Sequence, residues 1–189
     1  MPNDQSNPSL QVVDGDHIRG PGEAPVTILI YGDYECPYTR TVELSLAHLR
    51  SHDGNAFRSV FRYFPVREIH PHAQTAAEAA EAVYDLAGAE AFWLMHDGLF
   101  AHQDQLDPPG LERQGAKAGV DPIALRAVLD SRRFAERVER DVQSGVVNGV
   151  DATPWIFIDG VPYFGARDVR SLEGFLAKNP AGGVAGSTA

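Results

Sequence analysis

Tyr34-Glu35-Cys36-Pro37-Tyr38-Thr39 holds the only cysteine of the chain. Before it stands an apolar run of strand length, Val26 to Tyr31, closed by Gly32-Asp33. After it Val42, Leu46 and Leu49 recur at helical spacing. Cys36 therefore falls where a buried strand hands over to a helix, at the helix N-terminus. Unpaired backbone N–H groups and the positive end of the helix dipole favour an anion there. The thiolate is such an anion, and it is the nucleophilic form of cysteine. Pro37 suits the first helical turn, where a missing N–H costs nothing.

The spacing is that of a C-x-x-C redox motif whose second cysteine is replaced by Thr39. Positions 36 and 39 share one face of the first turn. With threonine at 39 no internal disulfide can form, so redox chemistry must pass through a mixed disulfide with another molecule. The Thr39 hydroxyl is expected to donate a hydrogen bond to the sulfur and favour the thiolate. The opposing reading is that a lone cysteine is an inert, buried small hydrophobe. Asp33 and Glu35 argue against activation, since nearby carboxylates disfavour a thiolate, and Arg40 offsets them.

The chain of 189 residues reads as one domain with an inserted lobe, long enough to bury a core without covalent staples. One cysteine excludes a disulfide framework and gives no argument for secretion. The first residues are polar, without the basic-then-apolar order of a signal peptide, and the expected location is the cytoplasm. No apolar run approaches the roughly 18 residues of a membrane span. A net charge of −10 argues against nucleic acid or an anionic membrane as partner.

Residues 1–15 are expected to be a disordered arm and 179–189 a flexible glycine-rich tail. Phe57 to Phe64 reads as a second strand, giving a βαβ unit with parallel pairing. From Ala73 to about Gly149 the pattern is helical. Ala76, Ala80, Val83 and Ala87 mark one face, with Gly88 as a stop, and Phe92, Met95 and Leu99 mark a second stripe. Asp107-Pro108 and Asp121-Pro122 start two short helices, and Val138, Val142 and Val146 are spaced for a longer one. Glu78, Glu81, Glu90, Glu136 and Glu139 read as solvated helix faces. Trp155 to Ile158, Asp159-Gly160 and Val161 to Phe164 read as a hairpin, its second strand at a sheet edge because of Pro162. A last helix carries Leu172 and Phe175.

The order βαβ, helical block, ββα is that of an α/β thioredoxin-like fold with an inserted all-helical lobe. Residues 16–66 and 150–178 make up the thioredoxin-like domain and 67–149 the lobe. Gly32 to Tyr38 resembles the active-site turn of the DsbA-like thiol–disulfide oxidoreductases. Gly149-Val150-Asp151-Ala152-Thr153-Pro154 resembles that family's Thr–cis-Pro loop. Ile69-His70-Pro71-His72-Ala73 and Phe92-Trp93-Leu94-Met95-His96-Asp97 resemble parts of its helical insertion. The chain is most similar to the subgroup that includes the thioredoxin-like tails of some bacterial sodium/proton antiporters. It departs from the family at Thr39, and at Trp155, where a smaller residue is usual.

The resemblance implies that Thr153–Pro154 is cis and lies against Cys36. Residue 153 then offers its N–H and C=O to an extended thiol substrate or to glutathione, in strand fashion. The expected function is a monothiol thiol–disulfide oxidoreductase, with Cys36 and Thr39 catalytic and with Pro37, Tyr38, Thr153 and Pro154 binding substrate. No tightly bound cofactor is expected; glutathione or another low-molecular-weight thiol serves as co-substrate, and the partner is a protein thiol or disulfide. The alternative is a redox-inactive module that recognises an extended peptide or partner protein in the same groove. A conjugating or isomerising activity is a third class that no residue selects. His70 with His72, and His96 with His102, lack the i, i+4 spacing of a helical metal pair, so no metal is expected and these histidines are assigned to capping or packing.

Overall fold

The computed structural model describes residues 10–178. The expected tail at 179–189 and the first nine residues of the expected arm lie outside that range. The apolar run of the sequence becomes strand β2 (Thr27–Gly32), which runs into helix α1 (Pro37–His52), followed by β3 (Arg58–Tyr63). A short strand β1 (His17–Arg19) precedes them. Four helices follow: α2 (Ala73–Ala101), α3 (Pro108–Lys117), α4 (Pro122–Asp130) and α5 (Ala135–Val147). The chain closes with β4 (Trp155–Ile158), β5 (Val161–Pro162) and α6 (Val169–Lys178). This is the expected α/β order with an all-helical insertion between β3 and β4.

The strands form one sheet in the order β1-β3-β2-β4-β5. β2, buried at five of its six residues, is therefore the central strand, as its near-continuous apolar run suits. Arg58 N bonds Val26 O and Phe64 N bonds Gly32 O, so β3 and β2 advance together as parallel strands. β1 and β5 are antiparallel edges, on β3 and β4 respectively. Asp159 and Gly160 both take positive φ, 49° and 80°, which a two-residue type I′ turn requires.

Contacts divide the chain into two compact units. Among the described residues the first holds 10–30, 41–62 and 155–178. Its core is built from Ile28 and Ile30 of β2, the α1 stripe Val42, Leu46 and Leu49, Val60 and Phe61 of β3, Phe157 of β4 and Leu172 of α6, all buried. The strand at 17–19 was not expected, and residues 10–15, expected to be disordered, are held in place. Arg62 reaches both carboxylate oxygens of Asp16 at 2.9 Å and the carbonyl of Gln11 at 2.8 Å. Both side chains of that ion pair are buried, so the bidentate geometry offsets a real desolvation cost.

The second unit holds residues 31–40 and 63–154. The sequence division placed the cysteine turn with the sheet; the contacts group it with the helices. α2 is kinked at Gly88, whose φ of 84° interrupts the helix where the sequence predicted a stop. Asp107 and Asp121 cap α3 and α4 by accepting from Gly110 N and from Ile123 N and Ala124 N. The valine spacing of α5 misplaces its buried face. Val138, Asp141 and Gly145 are buried, while Val146 is exposed. Gly145 is the point of close approach: a Cβ there would lie 2.8 Å from the Phe64 ring and 3.2 Å from Tyr31.

Glu78 and Glu81, read from the sequence as solvated, are buried. Arginines drawn from later in the chain neutralise them. Arg132 reaches Glu78 at 2.9 Å, and Arg137 sits between Glu81 and Asp141. Asp141 also accepts from Tyr63 N at 3.0 Å, and the Arg137 guanidinium lies over the Tyr63 ring. Burial first, then the nearby Glu81 carboxylate, hold the Tyr63 hydroxyl well above the ordinary phenol value of 10.0. Folded Tyr63 thus keeps its proton where the unfolded chain releases it. The unfolded state then binds fewer protons, so stability falls as pH rises past about 10. Unfolding free energies from urea titrations at about pH 9 and upward should decline more steeply for the natural chain than for Tyr63→Phe, by up to about 1.4 kcal/mol per pH unit. Parallel declines would refute the assignment.

Candidate active site

The site is built on the turn between β2 and α1. Asp33 is buried, and its carboxylate accepts three hydrogen bonds. Oδ1 takes Glu35 N at 2.7 Å, an Asx turn that bends the chain. Oδ2 takes Val66 N and His70 Nδ1, each at 2.8 Å. Cys36 N donates to Asp33 O, and Cys36 O accepts from Arg40 N to open α1. Cys36 is thus the N-cap residue of the helix, at the positive end of its dipole. Glu35 turns its carboxylate away to accept from His72 N at 2.8 Å. Both carboxylates that the sequence set against a thiolate are engaged with the 66–72 segment.

Cys36 is 3% exposed. Its Sγ donates to the carbonyl oxygen of Thr153 at 3.3 Å. The Thr153–Pro154 bond is cis, with Thr153 half-buried and Pro154 buried. Beside the thiol, Pro37 is exposed and Tyr38 is 70% exposed. The turn and the Thr153–Pro154 pair belong to the same unit.

Thr39 departs from the expectation. It is fully buried, and its Oγ1 accepts from Asp33 N at 3.4 Å. Among the described residues no hydrogen bond joins Thr39 to Sγ. The amide of Asp33 is a buried donor that needs an acceptor, and the threonine hydroxyl supplies it. Thr39 braces the turn rather than touching the sulfur. Trp155, the unusual residue after the proline, packs edge-on against Phe164 with ring centroids 5.9 Å apart.

Four supporting residues were not identified as site residues from the sequence. Gln103 Nε2 donates to the carbonyls of Tyr34 (2.7 Å) and Cys36 (3.0 Å), tying both ends of the turn to the segment after α2. The Tyr34 hydroxyl pairs with His96 Nδ1 at 2.9 Å. His96 is fully buried among the rings of Phe92, Trp93 and Phe100. His70 holds Asp33. The 92, 96, 100 spacing on one helical stripe was a readable signal for His96, and the His70-Pro71-His72 motif for His70. Gln103, one position past the helix cap, gave none.

Asp33→Ala strands three donors at once. Each buried unsatisfied donor costs about 1–3 kcal/mol, so chemical denaturation should show a loss of several kcal/mol. Asp33→Asn keeps an acceptor and should lose less. Equal, small losses in both variants would show that the carboxylate does not organise the turn.

A family model described as thioredoxin matches residues 13–178. The Na(+)/H(+) antiporter NhaA 3 of Salinispora tropica is 42% identical over 160 residues, covering 85% of this chain and 24% of that protein. The chain thus spans about a quarter of the length of the antiporters it matches. Among the described residues no helix is long and apolar enough to cross a membrane. Oxidised BdbD from Bacillus subtilis superposes with a TM-score of 0.78 at 24% identity, over 89% of this chain and 94% of that one. Alpha-DsbA1 of Wolbachia pipientis gives 0.79 at 18% identity, over 92% and 95%. Its motifs, its topology and the family match agree: the chain belongs to the thioredoxin family and has the fold of DsbA-type proteins.

Proposed function

We propose that this chain is a monothiol thiol–disulfide oxidoreductase that works through a mixed disulfide at Cys36. The observation that carries the reading is the sulfur itself: it stands at a helix N-terminus and points at the carbonyl of Thr153, 3.3 Å away. That carbonyl is also the acceptor an extended substrate would use. An incoming backbone N–H that takes the Thr153 oxygen displaces the thiol from it, so substrate docking and release of Sγ are one event. Exposed Pro37 and Tyr38 supply apolar surface beside the sulfur for the substrate.

In the first step Cys36 loses its proton and the thiolate attacks one sulfur of a protein–glutathione disulfide. The Cys36–glutathione S–S bond forms, the original S–S bond breaks, and the protein leaves as thiolate and takes up the proton. A second glutathione, as thiolate, attacks the glutathione sulfur of that adduct. Cys36 is released reduced, and the product is glutathione disulfide. No outside oxidant enters: one disulfide is exchanged for another. Thr39 and Gln103 act as positioning residues, and the reading assigns the chain to a reducing compartment, where such thiols persist.

The burial of Cys36 favours a second reading, a binding module that uses the groove without its sulfur. One experiment separates the two. A glutathionylated peptide should lose glutathione to the natural chain, with a Cys36-linked adduct visible by mass, and the Cys36→Ser chain should do neither. An adduct that forms only after unfolding would overturn the enzyme reading. Peptide capture by Cys36→Ser at undiminished affinity would establish the module instead. In the same assay Thr39→Cys should form an internal disulfide under oxidation, because positions 36 and 39 are neighbours three residues apart in one helical turn.

A further inference from the structure

Outside the turn, a second group of chemically capable side chains stands at the other end of α1. His48 and His52 are four residues apart in its last turn, both exposed, with ring centroids 4.3 Å apart and planes tilted by 33°. This i, i+4 pair carries the helical metal-ligand spacing that the other histidines lack. We propose that His48 and His52 form a two-imidazole site for a divalent transition-metal ion of the zinc class.

Three observations support it. His52 Nδ1 lies 2.9 Å from the His48 carbonyl oxygen, which can only accept, so Nδ1 carries the proton. Neutral His52 is therefore held in the tautomer whose Nε2 lone pair is available to a metal. A backbone carbonyl bound to the far nitrogen is the usual outer support of a ligating histidine. Ser51 Oγ donates to the same carbonyl at 2.7 Å and lies 3.1 Å from His52 Nδ1, bracing the ring further.

The electrostatic setting also favours a cation. The pair sits at the C-terminal, negative end of the helix dipole. His52 lines a cleft of about 510 Å³ together with Asp53, the next residue, and Glu173 of α6. Arg50 is the opposing charge in that turn, but its guanidinium is committed elsewhere: it donates to Ser59 Oγ at 2.9 Å and lies over the Phe57 ring.

Among the described residues no three His, Cys, Asp or Glu side chains gather to hold a metal ion. The site thus supplies two protein ligands and leaves the remaining positions to water. Two imidazoles with open positions suit zinc, nickel or copper(II) rather than magnesium or calcium, which take oxygen ligands. Binding adds the ion to lone pairs and breaks no covalent bond. Protons compete for the same lone pairs, so acid should release the metal.

The test is calorimetric titration of zinc chloride into the full chain carrying Cys36→Ser, which removes the thiol as a competing ligand. One zinc per chain is expected at about pH 7.5 and its loss at about pH 5. His48→Gln and His52→Gln should each weaken binding by at least the roughly tenfold that loss of an outer-shell partner costs. Zinc at a fixed concentration near the parent's saturation should raise the unfolding midpoint of the parent more than that of either variant. Circular dichroism checks that the variants fold. Unchanged affinity in both, no zinc uptake by the parent, or loss of binding in His72→Gln instead would overturn the proposal.

Discussion

The carboxylate of Asp33 is the point on which the site turns. It is buried, and a buried carboxylate is tolerated only when its oxygens are fully engaged. Here they accept from Glu35 N, Val66 N and His70 Nδ1. One bond bends the chain so that Cys36 arrives at the start of α1. The other two bind that bend to a segment more than thirty residues later. Thr39 and Gln103 complete the hold by engaging the amide of Asp33 and the carbonyls of Tyr34 and Cys36. The position of the sulfur thus follows from hydrogen bonds made by its neighbours, and its own bond is to Thr153 O.

That bond changes the meaning of the motif. A groove beside Thr153 was expected to present an open carbonyl to substrate. In the described state the thiol occupies that carbonyl, and the cysteine is nearly inaccessible. The sulfur is thus buried although the next two residues, Pro37 and Tyr38, are exposed.

The helical unit shows how charge can be buried where a sequence pattern suggests solvent. Glu78, Glu81 and Asp141 lie inside it and are matched by Arg132 and Arg137. Removing one partner of such a group leaves an uncompensated charge, which costs more than the pair gained by forming. His96 is treated similarly, enclosed by aromatic rings and hydrogen-bonded to Tyr34. The unit that holds the cysteine turn is therefore ordered by polar contacts between sequence-distant residues as much as by its alanine-rich packing.

Local sequence was enough for the element order from β2 onward, the central strand, the helix that follows the cysteine, the break at Gly88 and the Asp159–Gly160 turn. Each of these is set by local chemistry: apolar period, a cap, or a residue able to take positive φ. It also determined that no internal disulfide closes between 36 and 39. Three-dimensional packing put Glu78 and Glu81 inside, turned Thr39 to Asp33 and not the sulfur, faced Gly145 rather than Val146 inward, and pinned residues 10–15 through Arg62. These outcomes depend on which donor or acceptor a distant part of the chain brings within about 3 Å. Periodicity cannot show that, because a buried charge and a solvated one occupy the same helical positions until their partner is known.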